Sequence, residues 1–224
     1  MAELSARRWR IVNQIVPSVV PSTWGDDKFE KIDKNWKPGD RYTTCGGLPA
    51  YVASQLGVSP EVRREGITGG GLLGMRDAAI RRGAWVHHDI TLRFLAGGMG
   101  LEGEMRRPKP GDFYLLCSGD VGRHKVLCNC LSPSNPNNYR GAAIEHVGIV
   151  ISAEGNVWKT ADAGQSDGQV MVNGEAKNRQ AARYVERTFN PTTGELVGEA
   201  DRRGGRPMRR LCGWVDVDKF PFLT

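Results

Sequence analysis

The chain has 224 residues, of which 39% are hydrophobic, and its 31 Lys and Arg outnumber 25 Asp and Glu for a formal charge of +6. That length fits one domain with inserted loops and is enough to bury a core, and no stretch is apolar and long enough to span a bilayer. The opening MAELSARRWRIVNQIVPSVV is broken by Asn13, Gln14 and Pro17 and lacks the apolar run of a signal peptide. It points to synthesis in the cytoplasm, with export to the periplasm, the extracellular space or a target cell requiring a dedicated system.

The first segment with helical spacing covers residues 4 to 16, with Leu4, Trp9, Ile11, Val12 and Ile15 near one side. A polar, turn-rich stretch follows, and then a helix over about 47 to 56 closed by Gly57. GITGGGLLG reads as a flexible connection, since it lacks the ending of a phosphate loop, and a further helix is expected over LLGMRDAAIRRG. From residue 110 the texture turns to strands: PGDFYLLC, IEHVGIVI, NVWKTADA and LCGWVDVD. Helices first and tight-turned strands afterwards predict an α+β fold with a mostly antiparallel sheet. Long insertions fall at about 57–108, 118–143 and 187–209 of a single domain spanning 1–224.

Five cysteines without an export signal argue against a disulfide framework and for buried, metal-bound or reactive thiols. Cys45, in TTCGGLPAY, sits where a loop becomes a helix, a place that lowers thiol pKa, and the glycines after it admit a substrate backbone. Pro49 has no amide donor, so a regular helix starts at or after Gly46. In EHVGIVI, alternation places His146, Gly148 and Val150 on one face and the apolar Val147, Ile149 and Ile151 on the other. His146 is thus expected to point away from the apolar face, toward the helix start and a cleft. Asp162, in WKTADAGQ, is expected at the end of the next strand, beside the imidazole, with Gln165 and Asp167 as local alternatives.

Cysteine at a helix start, a PGD turn at Pro110-Gly111-Asp112, then HVGIV, then a polar residue one strand later form an ordered signature. It resembles the papain-like cell-wall cysteine peptidases of the NlpC type and the related CHAP amidases. The resemblance implies a papain-like fold in which Cys45 is the nucleophile, His146 the general base and Asp162 the third polar residue. The implied reaction is hydrolysis of amide bonds in bacterial peptidoglycan, with backbone amides at Cys45 binding the oxyanion. The signature spans about half of the chain. Thr44 stands where the family commonly has an acidic residue or Asn, and Asp162 is a variant of a position that is often His, Asn or Gln.

A chain of this kind with no signal peptide reads as a phage-type lysin or an antibacterial effector, the latter with secretion machinery and a neutralising immunity protein as partners. The same Cys-His pair also serves protein deamidation, acyl transfer and deubiquitination. Charge alone would allow a nucleic-acid binder, but the Arg clusters are not interleaved with aromatics. Cys117, His124, Cys128 and Cys130 lack zinc spacing, because CNC has one intervening residue, so Cys128 and Cys130 read as loop thiols. His87-His88-Asp89 reads as a surface turn. No metal and no cofactor is expected.

Overall fold

The computed structural model describes residues 4–32, 36–40, 43–64, 71–86, 108–119, 142–192, 194–198 and 209–220. His87, His88, Asp89, His124, Cys128 and Cys130 lie outside them, as does most of the first two inserted segments. The architecture is α+β, built on a seven-stranded antiparallel sheet. Its strands are β1 (Ser22–Thr23), β2 (Trp85–Val86), β3 (Phe113–Gly119), β4 (Ala142–Glu154), β5 (Val157–Val172), β6 (Glu175–Thr188) and β7 (Arg209–Val215). In space they run β1-β6-β5-β4-β3-β7-β2. The helices are α1 (Ala6–Arg10), α2 (Asp27–Ile32), α3 (Gly47–Gln55), α4 (Pro60–Arg63) and α5 (Gly71–Arg81).

The sheet separates two apolar layers. Phe113, Leu115, Cys117, Val147, Ile149, Ala161 and Ala163 face the helices and pack with Ile11, Phe29, Leu48, Val52 and Met75. The alternate positions Tyr114, Leu116, Val150 and Trp158 face the other way and pack with Phe189, Leu196, Leu211 and Trp214. Aromatic edges hold that second layer, with the Trp158 ring 5.1 Å from Phe189 and 6.1 Å from Trp214. The expected alternation of β4 therefore holds, but both faces are buried. The helices cover the Val147 and Ile149 side, and the side of His146 is covered by the layer of Phe189, Leu196, Leu211 and Trp214.

Other expectations change in detail. The first helix passes from α1 into a π-helical turn (Ile11–Ile15) and a 3-10 turn (Val16–Ser18). Trp9 is exposed, and Arg8 takes an inward position. The turn-rich stretch after it still supplies β1 and α2, with Phe29 and Trp36 buried. The strand expected to end near Asp162 runs on to Val172 and turns through Asn173-Gly174, with φ of 53° and 82°, into β6. Two successive positive φ values define the tight hairpin turn that Asn-Gly favours. β6 enters the segment assigned as an insertion from 187 onward, and 194–198 pairs back onto it and β7 through Phe189↔Leu196 and Glu195↔Arg210. Cys117 and Cys212, on the adjacent strands β3 and β7, form a disulfide, against the expectation of unbridged thiols. Their Cα atoms are 5.8 Å apart, within the range a disulfide spans, and Cys212 falls where the pairing of β3 with β7 skips one residue.

Arg8 ties the chain ends together. Its guanidinium meets Asp112 at 2.8 Å, Asp216 at 2.6 Å and Asp218 at 2.5 Å, and it donates to the Pro110 carbonyl at 3.0 Å. The PGD turn, the start of β3 and the end of the chain after β7 thus converge on one buried cation. Burial pushes the Asp112 carboxyl up to about 7 even with this partner beside it. Arg8→Met should therefore leave Asp112 buried without a counter-charge and cost about 3–5 kcal/mol in urea unfolding. The loss should shrink as pH falls below 7, where Asp112 takes up a proton. A loss that is the same at pH 5 and pH 8 would contradict this account.

Candidate active site

Cys45 lies in a 3-10 turn (Thr44–Gly46) that runs directly into α3. Gly46 and Gly47 are both right-handed helical, so Cys45 stands in the first turn of one continuous helical stretch. Pro49 is the third residue of α3, early enough in that helix for a residue without an amide hydrogen to be tolerated. The first donor of the stretch, the Thr44 amide, is capped from β6 by Gln180 Oε1 at 2.9 Å.

The imidazole of His146 approaches from β4. Its Nε2 donates to Asp162 Oδ1 on β5 at 2.5 Å, and the Cys45 thiol is close enough to the ring for each to shift the other's proton affinity. Thr43 and the Val147 amide also hydrogen-bond the thiol. Two irregularities flank the meeting point. Pairing of β3 with β4 skips Glu145, from Leu116↔His146 to Cys117↔Ile144, and pairing of β5 with β6 skips from Asp162↔Arg183 to Gln165↔Ala181. Bulges re-aim side chains. Here they let a histidine and an aspartate from the face away from the helices meet a cysteine from the helical layer.

Asp162 lies within β5 instead of at its end, and it is fully buried. Besides His146, its Oδ1 accepts from the Tyr114 hydroxyl, and its Oδ2 accepts from Thr160 Oγ1 at 2.5 Å. Arg187 Nη2 on β6 forms an ion pair with Oδ1 at 3.3 Å. Neither alternative third residue occupies this place. Gln165 donates to the Ala163 carbonyl at 3.4 Å, and Asp167 pairs with Arg179 at 3.0 Å, with Arg183 and with Thr23.

These contacts set the charges. Burial alone would raise the Asp162 carboxyl, but the Arg187 and His146 cations and the hydrogen bonds hold it well below the usual carboxylate range. Burial alone would lower His146, yet the hydrogen bond and charge of Asp162, with Cys45 behind, raise it above the ordinary imidazole value. The Cys45 thiol is pushed up by burial, but His146, Thr43 and the Val147 amide outweigh that and bring it below its ordinary value. The group is enclosed: Cys45 is 6% exposed and His146 3%, so the histidine expected to face an open cleft lies in the interior.

Two glycines make room. Tyr114 is the register partner of Gly148, and its ring crosses Gly148 to reach Asp162. A Cβ at Gly148 would lie 2.3 Å from Asp162 Oδ1 and 2.6 Å from Tyr114 Cε1. At Gly164, with φ of +73°, a Cβ would lie 2.9 Å from Thr43 Cβ and 3.1 Å from the Cys45 amide nitrogen. Tyr114, Thr160, Arg187, Gly148 and Gln180 are all members of the site that the sequence reading left out. The Asn173-Gly174 dipeptide is the local signal from which β6 could have been found, and the register of β6 on β5 brings Arg187 opposite Trp158.

Among the described residues no group of three or more His, Cys, Asp and Glu is arranged to hold a metal, and no helix is long and apolar enough to cross a membrane. No family model matches the chain, and neither a curated protein nor a solved structure matches it.

Gly148→Ala tests the packing of the site. The added methyl should displace Asp162 or Tyr114 and cost about 1–3 kcal/mol in thermal or urea unfolding, the range for overpacking a filled interior. The His146 proton resonance should titrate at lower pH than in the wild type, because its carboxylate partner has moved. An unchanged His146 titration would show that the site absorbs the methyl elsewhere.

Proposed function

We propose that this protein is a papain-like cysteine amidase or peptidase, with Cys45 as nucleophile, His146 as general base and acid, and Asp162 as the residue orienting His146. The observation that carries the reading is the contiguous chain from the Cys45 thiol through the imidazole to Asp162 Oδ1, with the last link at 2.5 Å. His146 lowers the thiol, and Asp162 with Cys45 behind it raises the imidazole; both shifts favour a thiolate–imidazolium pair. A helix-start cysteine beside an antiparallel sheet that carries histidine and aspartate on neighbouring strands supports the papain-like assignment.

The chemistry follows from the atoms. His146 takes the Cys45 proton, and the thiolate adds to an amide carbonyl to form a tetrahedral adduct. His146 then returns the proton to the leaving amine as the C–N bond breaks, which leaves a thioester on Cys45. Water, deprotonated by His146, adds to the thioester, and its collapse releases the acid and restores the thiol. The Cys45 amide, in the first helical turn, is a donor for the oxyanion. Asp162 keeps the imidazole in the tautomer and orientation these steps need, and it stabilises the imidazolium between them. For substrate class, the ordered signature of Cys45, the PGD turn, His146 and Asp162 points to the peptide amide bonds of bacterial peptidoglycan.

Mass spectrometry of purified peptidoglycan incubated with the wild type and with Cys45→Ala tests this directly. The wild type should generate new amine and carboxyl ends at one type of amide bond, and Cys45→Ala should generate none. Intact peptidoglycan in the presence of wild-type protein whose Cys45 is reactive would overturn the substrate class.

The pH dependence has a defined sign. Thiolate forms as pH rises through a Cys45 value below 9.0, and the imidazolium is lost as pH rises through a His146 value above 6.5. Turnover should be bell-shaped between those two limbs. Alkylation by iodoacetamide should favour Cys45 over Cys128 and Cys130 and rise along the lower limb. In His146→Ala that limb should move to higher pH, because burial then dominates the thiol. Labelling mainly of Cys128 or Cys130 in the folded wild type would count against the nucleophile.

A further inference from the structure

Cys45, His146, Asp162 and Arg187 are ionisable groups inside one enclosed site, each less than a tenth exposed. Buried charges persist where their signs cancel and where each has a partner. Asp162 Oδ1 lies between two cations, 2.5 Å from His146 Nε2 and 3.3 Å from Arg187 Nη2. Arg187 itself is held unusually. Its Nε has no hydrogen-bond partner among the described residues, its Nη2 faces Asp162 alone, and its Cζ sits 5.7 Å from the centroid of the Tyr114 ring. The guanidinium is therefore retained by the charge of Asp162 and the face of an aromatic ring.

We infer that Arg187 is a positioning residue for the Cys45–His146 pair, whose fixed charge balances Asp162 and so lets the pair ionise without leaving net charge in the interior. This rests on the cysteine–histidine reading of the site. Thiolate and carboxylate give two negative charges, and imidazolium and guanidinium give two positive ones. Without Arg187, the state of zero net charge that keeps Asp162 paired with a charged His146 is one in which Cys45 holds its proton. Asp162 alone orients the imidazole but opposes the thiolate, and Arg187 removes that opposition.

The neighbouring groups leave this role to Arg187. Tyr114 stays protonated, because burial and Asp162 raise its hydroxyl well above the ordinary range. Thr160 is uncharged, and Lys159 and Glu186, on either side of the β5–β6 pairing, are exposed. Glu145, beside His146, is half-buried at the bulge and adds no positive charge. Asp167 is paired with Arg179 and Arg183 further along the hairpin, and Glu195 is paired with Arg210 at 2.8 Å.

The test is the pH profile of Cys45 alkylation by iodoacetamide in the full chain, with the modified residue identified by peptide mass spectrometry and folding checked by thermal unfolding. Arg187→Gln should move the acid limb to higher pH by about one unit, the effect of a unit charge several ångströms away in a medium of intermediate dielectric. Arg187→Lys, which keeps the charge, should stay near the wild-type limb, and Arg187→Gln combined with Asp162→Asn should bring the limb back. A merely structural arginine predicts neither rescue. An unmoved limb in folded Arg187→Gln, or one that Asp162→Asn does not bring back, overturns the inference.

Should Arg187→Gln fail to fold, the Asp162→Asn background carries the same comparison. Asp162→Asn alone should then show a limb about one unit below that of the double variant, and equal limbs overturn the inference. A wild-type limb that His146→Ala leaves in place removes the cysteine–histidine pair and this inference with it. A limb that depends on His146 but not on Arg187 removes this inference alone.

Discussion

The Asp162 carboxylate is the constraint on which the rest of the site depends. It has no exposure to water, so every part of its hydration must be replaced from the protein. The replacements come from four strands: Tyr114 on β3, His146 on β4, Thr160 on β5 and Arg187 on β6. A buried carboxylate with fewer partners would take up a proton and cease to orient a neighbour. The antiparallel order β6-β5-β4-β3 is therefore more than a scaffold, because it is the arrangement that brings those donors to one point.

Packing follows from the same requirement. Tyr114 reaches Asp162 by crossing Gly148, whose missing side chain is the space the ring occupies. Trp158, Trp214, Phe189 and Leu211 are among the residues that fill the layer on that face and exclude water from one side of the polar group. From the other side α3 and its leading turn press Cys45 against β4 and β5, and Gly164 allows the β5 backbone to come close to the Cys45 amide. In this low-dielectric setting each hydrogen bond to Asp162 counts for more than it would in water, and each missing one costs more.

A second buried charge cluster holds the frame in which this happens. Arg8 joins the first helix to Asp112 at the entry of β3 and to Asp216 and Asp218 beyond β7. The Cys117–Cys212 bridge ties β3 to β7 a few residues further along. β3 is thus fixed at its start by an ion cluster and further on by a covalent link, and Tyr114 lies between them. Both devices join residues distant in sequence, and both were invisible in the local pattern.

What the sequence by itself determined was local. Alternation in EHVGIVI put His146 and Gly148 on one side and Val147 and Ile149 on the other, because successive side chains of a strand must point oppositely. Gly57 ended a helix because a residue without Cβ accepts its φ of +88°. The sequence of motifs brought Cys45, His146 and Asp162 into one candidate list. Tertiary structure decided the rest. It chose Asp162 over Gln165 and Asp167, because a bulge after Asp162 and a glycine at 148 aim that carboxylate at the imidazole while Asp167 is drawn into its own arginine pairs. It placed the helices on the face of Val147 and Ile149, where Phe113, Leu115 and Ala161 pack with Leu48, Val52 and Met75. It also recruited Arg187, whose role depends on the register of two long strands across a turn, and register is a sum of contacts along both strands that no single position carries.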